Sequence, residues 1–295
     1  MDLVTPIKYD TYGRQAKEYL PYPDASPKGY YRTDAITESE NYYMTSYPGE
    51  LSSSTPNPYS EKVFEASPLN RVLVQAAPGA AWATGSAHEI RFEYQTNSES
   101  DIEPVVQFEV TTALSGDKYI ATLSKLGTYS AGELYKTVTK DENWQIGLDH
   151  TTEEFTDKLG RVVLKRTYNQ DVPHDTYYVY DEYGNLSYVI PPMVDTANGV
   201  DGTELSELCY QYIYDGRNRL IEKKIPGKGW EYIVYNKLDQ PIMTQDTNIR
   251  TANKWFVTKY DAFGRIAFTG FTSNSGTRGS VQSAADAITG PLWVE

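Results

Sequence analysis

The sequence predicts an all-β fold: tandem antiparallel β-hairpins joined into one curved, elongated sheet or partial barrel, with short helices only in loops. Three observations predict it. A Tyr-Asp-x-x-Gly-Arg string recurs along the chain. Runs of β-forming residues stand on both sides of most copies. Tyrosine dominates the aromatics, with 26 residues against 8 phenylalanines and 5 tryptophans, and aromatic side chains suit a pleated, half-buried surface.

The first copy is Tyr9-Asp10-Thr11-Tyr12-Gly13-Arg14. Later copies begin at Thr156, Tyr180, Tyr214, Tyr235 and Tyr260, at steps of 24, 34, 21 and 25 residues. A degenerate copy, with Trp144 in place of glycine, stands at 140–144. Asp10, Asp157, Asp181, Asp215, Asn236 and Asp261 open the turns, where a carboxylate or amide accepts hydrogen bonds from turn backbone. Gly13, Gly160, Gly184, Asn218, Asp239 and Gly264 take the fourth position. These residue types tolerate positive φ best. The combination predicts a type I turn closed by a G1 bulge, hence a hairpin at each copy.

Between the first copy and the rest, Pro21, Pro23, Pro27, Pro48, Pro56, Pro58 and Pro68 break any long strand or helix. A short helix is expected near 58–65. Strands are expected at Arg71–Gln75, Glu89–Tyr94, Val105–Thr111, Tyr119–Leu123 and Leu134–Val138, then a loop and short helix over 274–287. The organisation read from these elements is a first hairpin at 1–27, a β-rich inserted segment at 28–133, the hairpin array at 134–272, and a loop with a short helix at 273–295.

Composition narrows the function. The formal charge is −13, which disfavours nucleic acid as a partner. No membrane span and no signal peptide are visible. The single Cys209 rules out a disulfide framework and is expected to be a small core residue. His88, His150 and His174 lack metal-ligand spacing, and no nucleophile elbow, phosphate loop or dinucleotide loop is present. Acidic groups at 99–103 and 153–157 read as solvated loops rather than a glycosidase pair. The Asp195–Glu204 stretch has a calcium loop's composition but not EF-hand spacing. No catalytic, cofactor-binding or metal residue is assigned, and no cofactor. Tyr178, Tyr180, Tyr210, Tyr212 and Tyr214 are the candidate ligand-facing aromatics, with sheet core as the competing role.

The tandem hairpins resemble the RHS/YD-repeat family, which includes bacterial polymorphic-toxin shells and teneurin barrels. The strings Tyr19-Leu20-Pro21-Tyr22, Ser67-Pro68-Leu69-Asn70-Arg71-Val72 and Ala77-Pro78-Gly79-Ala80-Ala81-Trp82 resemble one branch of it. The resemblance implies a non-enzymatic shell module that encloses or presents a C-terminal effector, secreted or at the cell surface. Its partner would be the rest of its own polypeptide or that effector, and open edges would favour edge-to-edge association. The self-cleavage motif of shell members is absent. The alternative is a surface-exposed carbohydrate- or protein-binding module using a tyrosine-rich face.

Overall fold

The computed structural model describes residues 2–25, 29 and 31–294. Pro27, one of the expected breakers, lies outside them. The protein is almost wholly β, built from antiparallel pairs, and divides into two compact units. The first comprises Met1–Asn97, Gly132–Gly160 and Lys165–His174; the second comprises Ser98–Ala131, Arg161–Leu164 and Asp175–Glu295.

The chain opens with β1 (Asp2–Val4), β2 (Ile7–Lys8), β3 (Lys17–Tyr19) and β4 (Tyr22–Asp24). β1 pairs with β4 and β2 with β3. Helix α1 (Ala35–Ser46) follows, then β5 (Tyr59–Phe64), β6 (Val72–Ala76) and β7 (Ile90–Thr96). The ladder runs β3–β5–β6–β7. The hairpin β8 (Val106–Ser115) and β9 (Lys118–Thr128) belongs to the second unit. β10 (Tyr135–Lys140) and β11 (Thr151–Thr156) return to the first, with β10 between β7 and β11.

β12 (Val162–Asn169) and β13 (Val172–Tyr180) contribute residues to both units. The second unit then winds through β14 (Leu186–Ile190), α2 (Gly202–Glu207), β15 (Tyr210–Asp215), β16 (Leu220–Ile225), β17 (Gly229–Tyr235) and β18 (Pro241–Gln245). It continues with α3 (Thr247–Thr251), β19 (Lys254–Tyr260), β20 (Ile266–Ser273) and α4 (Arg278–Asp286). Each strand from β14 to β20 pairs with its sequence neighbour, and β9 adds a short pairing with β15.

Two local expectations are corrected. Residues 58–65 are not helical: Tyr59–Phe64 is β5, held by ladders to both β3 and β6, and ladder pairing overrides a weak local helix preference. The proline-rich stretch does hold a helix, because residues 28–47 between Pro27 and Pro48 contain no proline and α1 lies inside that gap.

Tyrosine supplies part of the core. Tyr19 and Tyr22 are buried in the first unit, Tyr177 and Tyr188 in the second. Cys209 is fully buried, and desolvation raises its thiol pKa to about 11, so it is held as the neutral thiol. In the second unit α4 covers the sheet, packing Val281 and Ala285 on Val234 and Trp255. Gln282 fixes it by accepting from the Tyr235 N–H (3.0 Å) and donating to the Tyr235 carbonyl (2.9 Å), taking the place of a neighbouring strand.

Candidate functional site

The turns are the chain's most regular chemistry. Gly13, Gly160, Gly184, Asn218, Asp239 and Gly264 all have φ between +57° and +84°. In each copy the fourth residue donates its N–H to the first residue's carbonyl, at 3.0–3.1 Å. Asp215 Oδ1 accepts from the backbone of Arg217 (2.9 Å) and Arg219 (3.0 Å), while Oδ2 takes Arg219 Nε at 2.7 Å. Asp10 with Arg14 and Asp261 with Arg265 repeat the arrangement. Asp181 holds its own turn and Asn185 in the same way, and Asp157 accepts from the Leu159 N–H. Where the first residue is Asn236, its amide donates to Gln240 Oε1 at 2.8 Å, so a neutral pair replaces an ionic one without changing the turn.

A shift of strand register falls at the aromatic residue before the turn: Tyr180, Tyr214, Tyr235 and Tyr260. The bulge aims three of these rings back along the array. Tyr214 donates its hydroxyl to the Leu186 carbonyl, Tyr235 to Leu220 and Tyr260 to Pro241, each at 2.9 Å. Each acceptor directly follows the preceding turn. The last residue of the preceding turn also reaches forward: the Arg161 guanidinium lies 5.0 Å from the Tyr180 ring centre and that of Arg219 lies 4.8 Å from Tyr235. Turns also touch directly, Asn185 donating to Asn218 and Arg219 to Asp239.

One further turn of this kind departs from the Tyr-Asp-x-x-Gly-Arg string. Phe64-Glu65 precedes a longer loop ending in Asn70-Arg71. Glu65 takes the aspartate's place, accepting from the Arg71 backbone and guanidinium, and Asn70 has φ +53°. The Arg71 hydrogen bonds, then that of Ser67, hold the Glu65 carboxyl down at about 2. Arg14 stacks on Phe64 and Arg71 on Tyr94, whose hydroxyl meets the Val72 carbonyl. The register shift before Phe64 was its signal, masked in the sequence by two inserted residues.

The array in the second unit ends on an exposed strand. Among the described residues β20 pairs only with β19, and Ile266, Phe268 and Phe271 are exposed. The Arg265 side chain is 75% exposed, whereas Arg219 at the equivalent position is 14% exposed under Tyr235. Arg265 still grips Asp261, but no following tyrosine covers it.

The candidate ligand-facing tyrosines fall into different roles. Tyr214 is engaged with Leu186, and burial pushes its phenol up to about 12. Tyr180 lies under Arg161. Tyr178 and Tyr212 are half-buried, and Tyr210 is exposed at the start of β15. The calcium-like stretch uses its carboxylates locally: Asp195 accepts from the Ala197 N–H, and Asp201 caps α2 in a reciprocal capping box with Glu204. No group of three or more His, Cys, Asp or Glu able to hold a metal occurs among the described residues.

Two buried ionic clusters were not legible in the sequence. In the first unit Lys136 meets Glu153 at 2.7 Å with both side chains under a tenth exposed. Nearby, desolvation and then the Glu153 charge raise the Tyr168 phenol well above its ordinary range. In the second unit Arg278 at the start of α4 binds Asp117 and, through Nε, Glu222 (3.3 Å), which also accepts from Lys118 at 3.0 Å. The first joins β10 to β11, and the second joins α4 to β16 and to the turn between β8 and β9.

A domain of unknown function, DUF6443, matches residues 1–96. No curated protein matches the chain. Among solved structures, a TcdB2-TccC3-TEV chain matches 92% of this chain at 15% identity with a TM-score of 0.50. A TcdB2-TccC3 chain matches 91% at 15% identity and 0.50. A chain of the Tc holotoxin pore of Photorhabdus luminescens matches 95% at 14% identity and 0.50. This chain spans only 10–11% of the length of those chains. The likeness shows one thing: this hairpin array shares its fold with a stretch of those toxin chains.

Proposed function

We propose that this chain is a non-enzymatic structural module of an RHS/YD-repeat shell that encloses or presents a C-terminal effector. One observation carries the reading: each hairpin is fastened to its predecessor by side chains, and the last one exposes the groups that would fasten a successor. Such a surface is built for continuation rather than for solvent. The fold shared with TcdB2-TccC3 chains supports a toxin-associated setting. The partner is then the remainder of a longer polypeptide of the same kind, secreted or at the cell surface, and no residue of this chain acts as a catalyst.

Light scattering coupled to size exclusion, over a hundredfold range of concentration, tests the reading. Association that grows with concentration is expected, and Phe268→Lys with Phe271→Glu is expected to abolish it. A concentration-independent monomer of 33.3 kDa, unchanged by those substitutions, would overturn the reading.

A further inference from the structure

The first unit carries a cleft of about 490 Å³ on the face of β5, β6 and β7, within the ~300–1,000 Å³ range of small-molecule sites. Trp82, His88 and Ile90 line it, and Ser60, Gln75 and Glu142 supply polar groups. Trp82 is 41% exposed, its ring centre 5.3 Å from that of His88. A singly exposed apolar side chain is ordinary, but this one borders a cleft with polar groups around it.

The Ala77–Trp82 segment is anchored at several points. Buried Asn57 donates through Nδ2 to the Gly79 carbonyl at 2.8 Å, and its own carbonyl accepts from the Gly79 N–H at 3.2 Å. The Ala80 N–H reaches the Glu50 carbonyl at 2.7 Å. Gly79 has φ +102°, and a Cβ there would stand 3.5 Å from the Glu50 oxygen and 3.8 Å from Trp82 Cδ1. The backbone that carries Trp82 is therefore held in place, which lowers the entropy cost of binding there. His88 is fixed as well. Its Nδ1 lies 3.1 Å from the Glu142 carbonyl, which can only accept, leaving Nε2 as the ring's remaining polar atom.

We propose that this cleft binds a neutral pyranose sugar, its C–H face on Trp82 and its hydroxyls on the polar groups of Gln75, Ser60, Glu142 and His88. Charge selects the class. No Lys or Arg lines the cleft, so nothing there would hold an anion. A quaternary ammonium prefers several aromatic walls, and here one indole is paired with an imidazole. A peptide that adds as a strand would need a free edge, yet β5, β6 and β7 are each paired on both sides; a polyproline II peptide is left to the hexaproline arm of the test. A single flat ring bordered by the neutral Ser60 and Gln75 groups, His88 and the acceptor oxygens of Glu142 matches a pyranose, which has one apolar face and a rim of hydroxyls.

The test is saturation-transfer NMR with calorimetry on the full chain. The probes are methyl β-D-glucopyranoside, methyl β-D-galactopyranoside and N-acetylglucosamine, with tetramethylammonium and hexaproline as the other arms. At least one pyranoside is expected to bind through its C–H face. Trp82→Ala is expected to weaken it by about tenfold or more, and Gln75→Ala severalfold, while Trp293→Ala leaves it unchanged. Circular dichroism establishes that each variant folds, and Gln75→Ala carries the test should Trp82→Ala not fold. Absence of transfer to every pyranoside, equal binding by a folded Trp82→Ala or Gln75→Ala variant, or binding only of tetramethylammonium or hexaproline would overturn the proposal.

Discussion

Tyr214, Tyr235 and Tyr260 each place a hydroxyl on a carbonyl that follows the preceding turn. Tyr214→Phe leaves the Leu186 carbonyl without that donor, and urea unfolding is expected to show a loss of about 1 kcal/mol. Gly184 has φ +84° and open space around it. Gly184→Ala is therefore expected to cost about 1 kcal/mol from backbone conformation alone, seen as a lower midpoint with unchanged slope. Glu65 tests the acid side. Its carboxyl titrates at about 2 in the fold, against 4.5 for an ordinary glutamate. A depressed folded value contributes stability that is fully present above about pH 4.5 and is lost as pH falls toward 2. Glu65→Gln is expected to flatten that part of the stability–pH curve relative to the parent, measured by urea midpoints from pH 6 to pH 2.5. The turn residues were the most legible part of the sequence, because Asp, Gly and Asn act there through their own few neighbours. The chain from Tyr hydroxyl to preceding carbonyl was not legible, since it depends on a bulge that turns the ring.

At the scale of elements, legibility followed locality. The hairpins from β12 onward stand where the repeats predicted them. Helix α1 lies in a proline-free gap between Pro27 and Pro48, which the high proline content on either side obscures. Residues 58–65 form β5 rather than the expected helix because their identity comes from the neighbours β3 and β6 rather than from their own side chains. The Arg278–Asp117–Glu222 set joins residues 161 and 56 positions apart in the chain, a distance no short motif spans. Helix α4 makes the clearest test at this scale. It buries Val281 against the Val234–Trp255 core, so Val281→Asp places a charge there. The expected outcome is a red-shifted tryptophan emission and faster hydrogen exchange at Tyr235, while hairpins β15–β16 and β8–β9 keep their protection. An unshifted spectrum with unchanged exchange would show that α4 is not what keeps Trp255 dry.

At the scale of the whole chain, the two units share one construction rule and differ in how strictly they follow it. The first mixes short strands, a helix and one long variant turn; the second repeats the Tyr-Asp hairpin with little interruption. The exposed face of β20 makes the prediction here. Arg265→Ala is expected to leave the unfolding free energy, measured by urea denaturation, within about 0.5 kcal/mol of the parent, because an exposed ion pair contributes little. Arg219→Ala, whose guanidinium is covered by Tyr235 and bonded to Asp215 and Asp239, is expected to cost about 2 kcal/mol or more. Equal effects from the two would mean that stacking between successive turns contributes nothing.

The fastening of each hairpin to the one before it also has a direction in time. Every acceptor carbonyl lies on the amino-terminal side of the tyrosine that bonds it: Leu186 before Tyr214, Leu220 before Tyr235, Pro241 before Tyr260. A ribosome delivers the amino-terminal side first. Each of these three tyrosines leaving the exit tunnel therefore meets an acceptor carbonyl that has already been synthesised, whereas Arg219 awaits Asp239 and the Tyr235 backbone awaits Gln282. The tyrosine bonds thus have a polarity along the chain that the turn-to-turn bonds of Asn185 and Arg219 do not share.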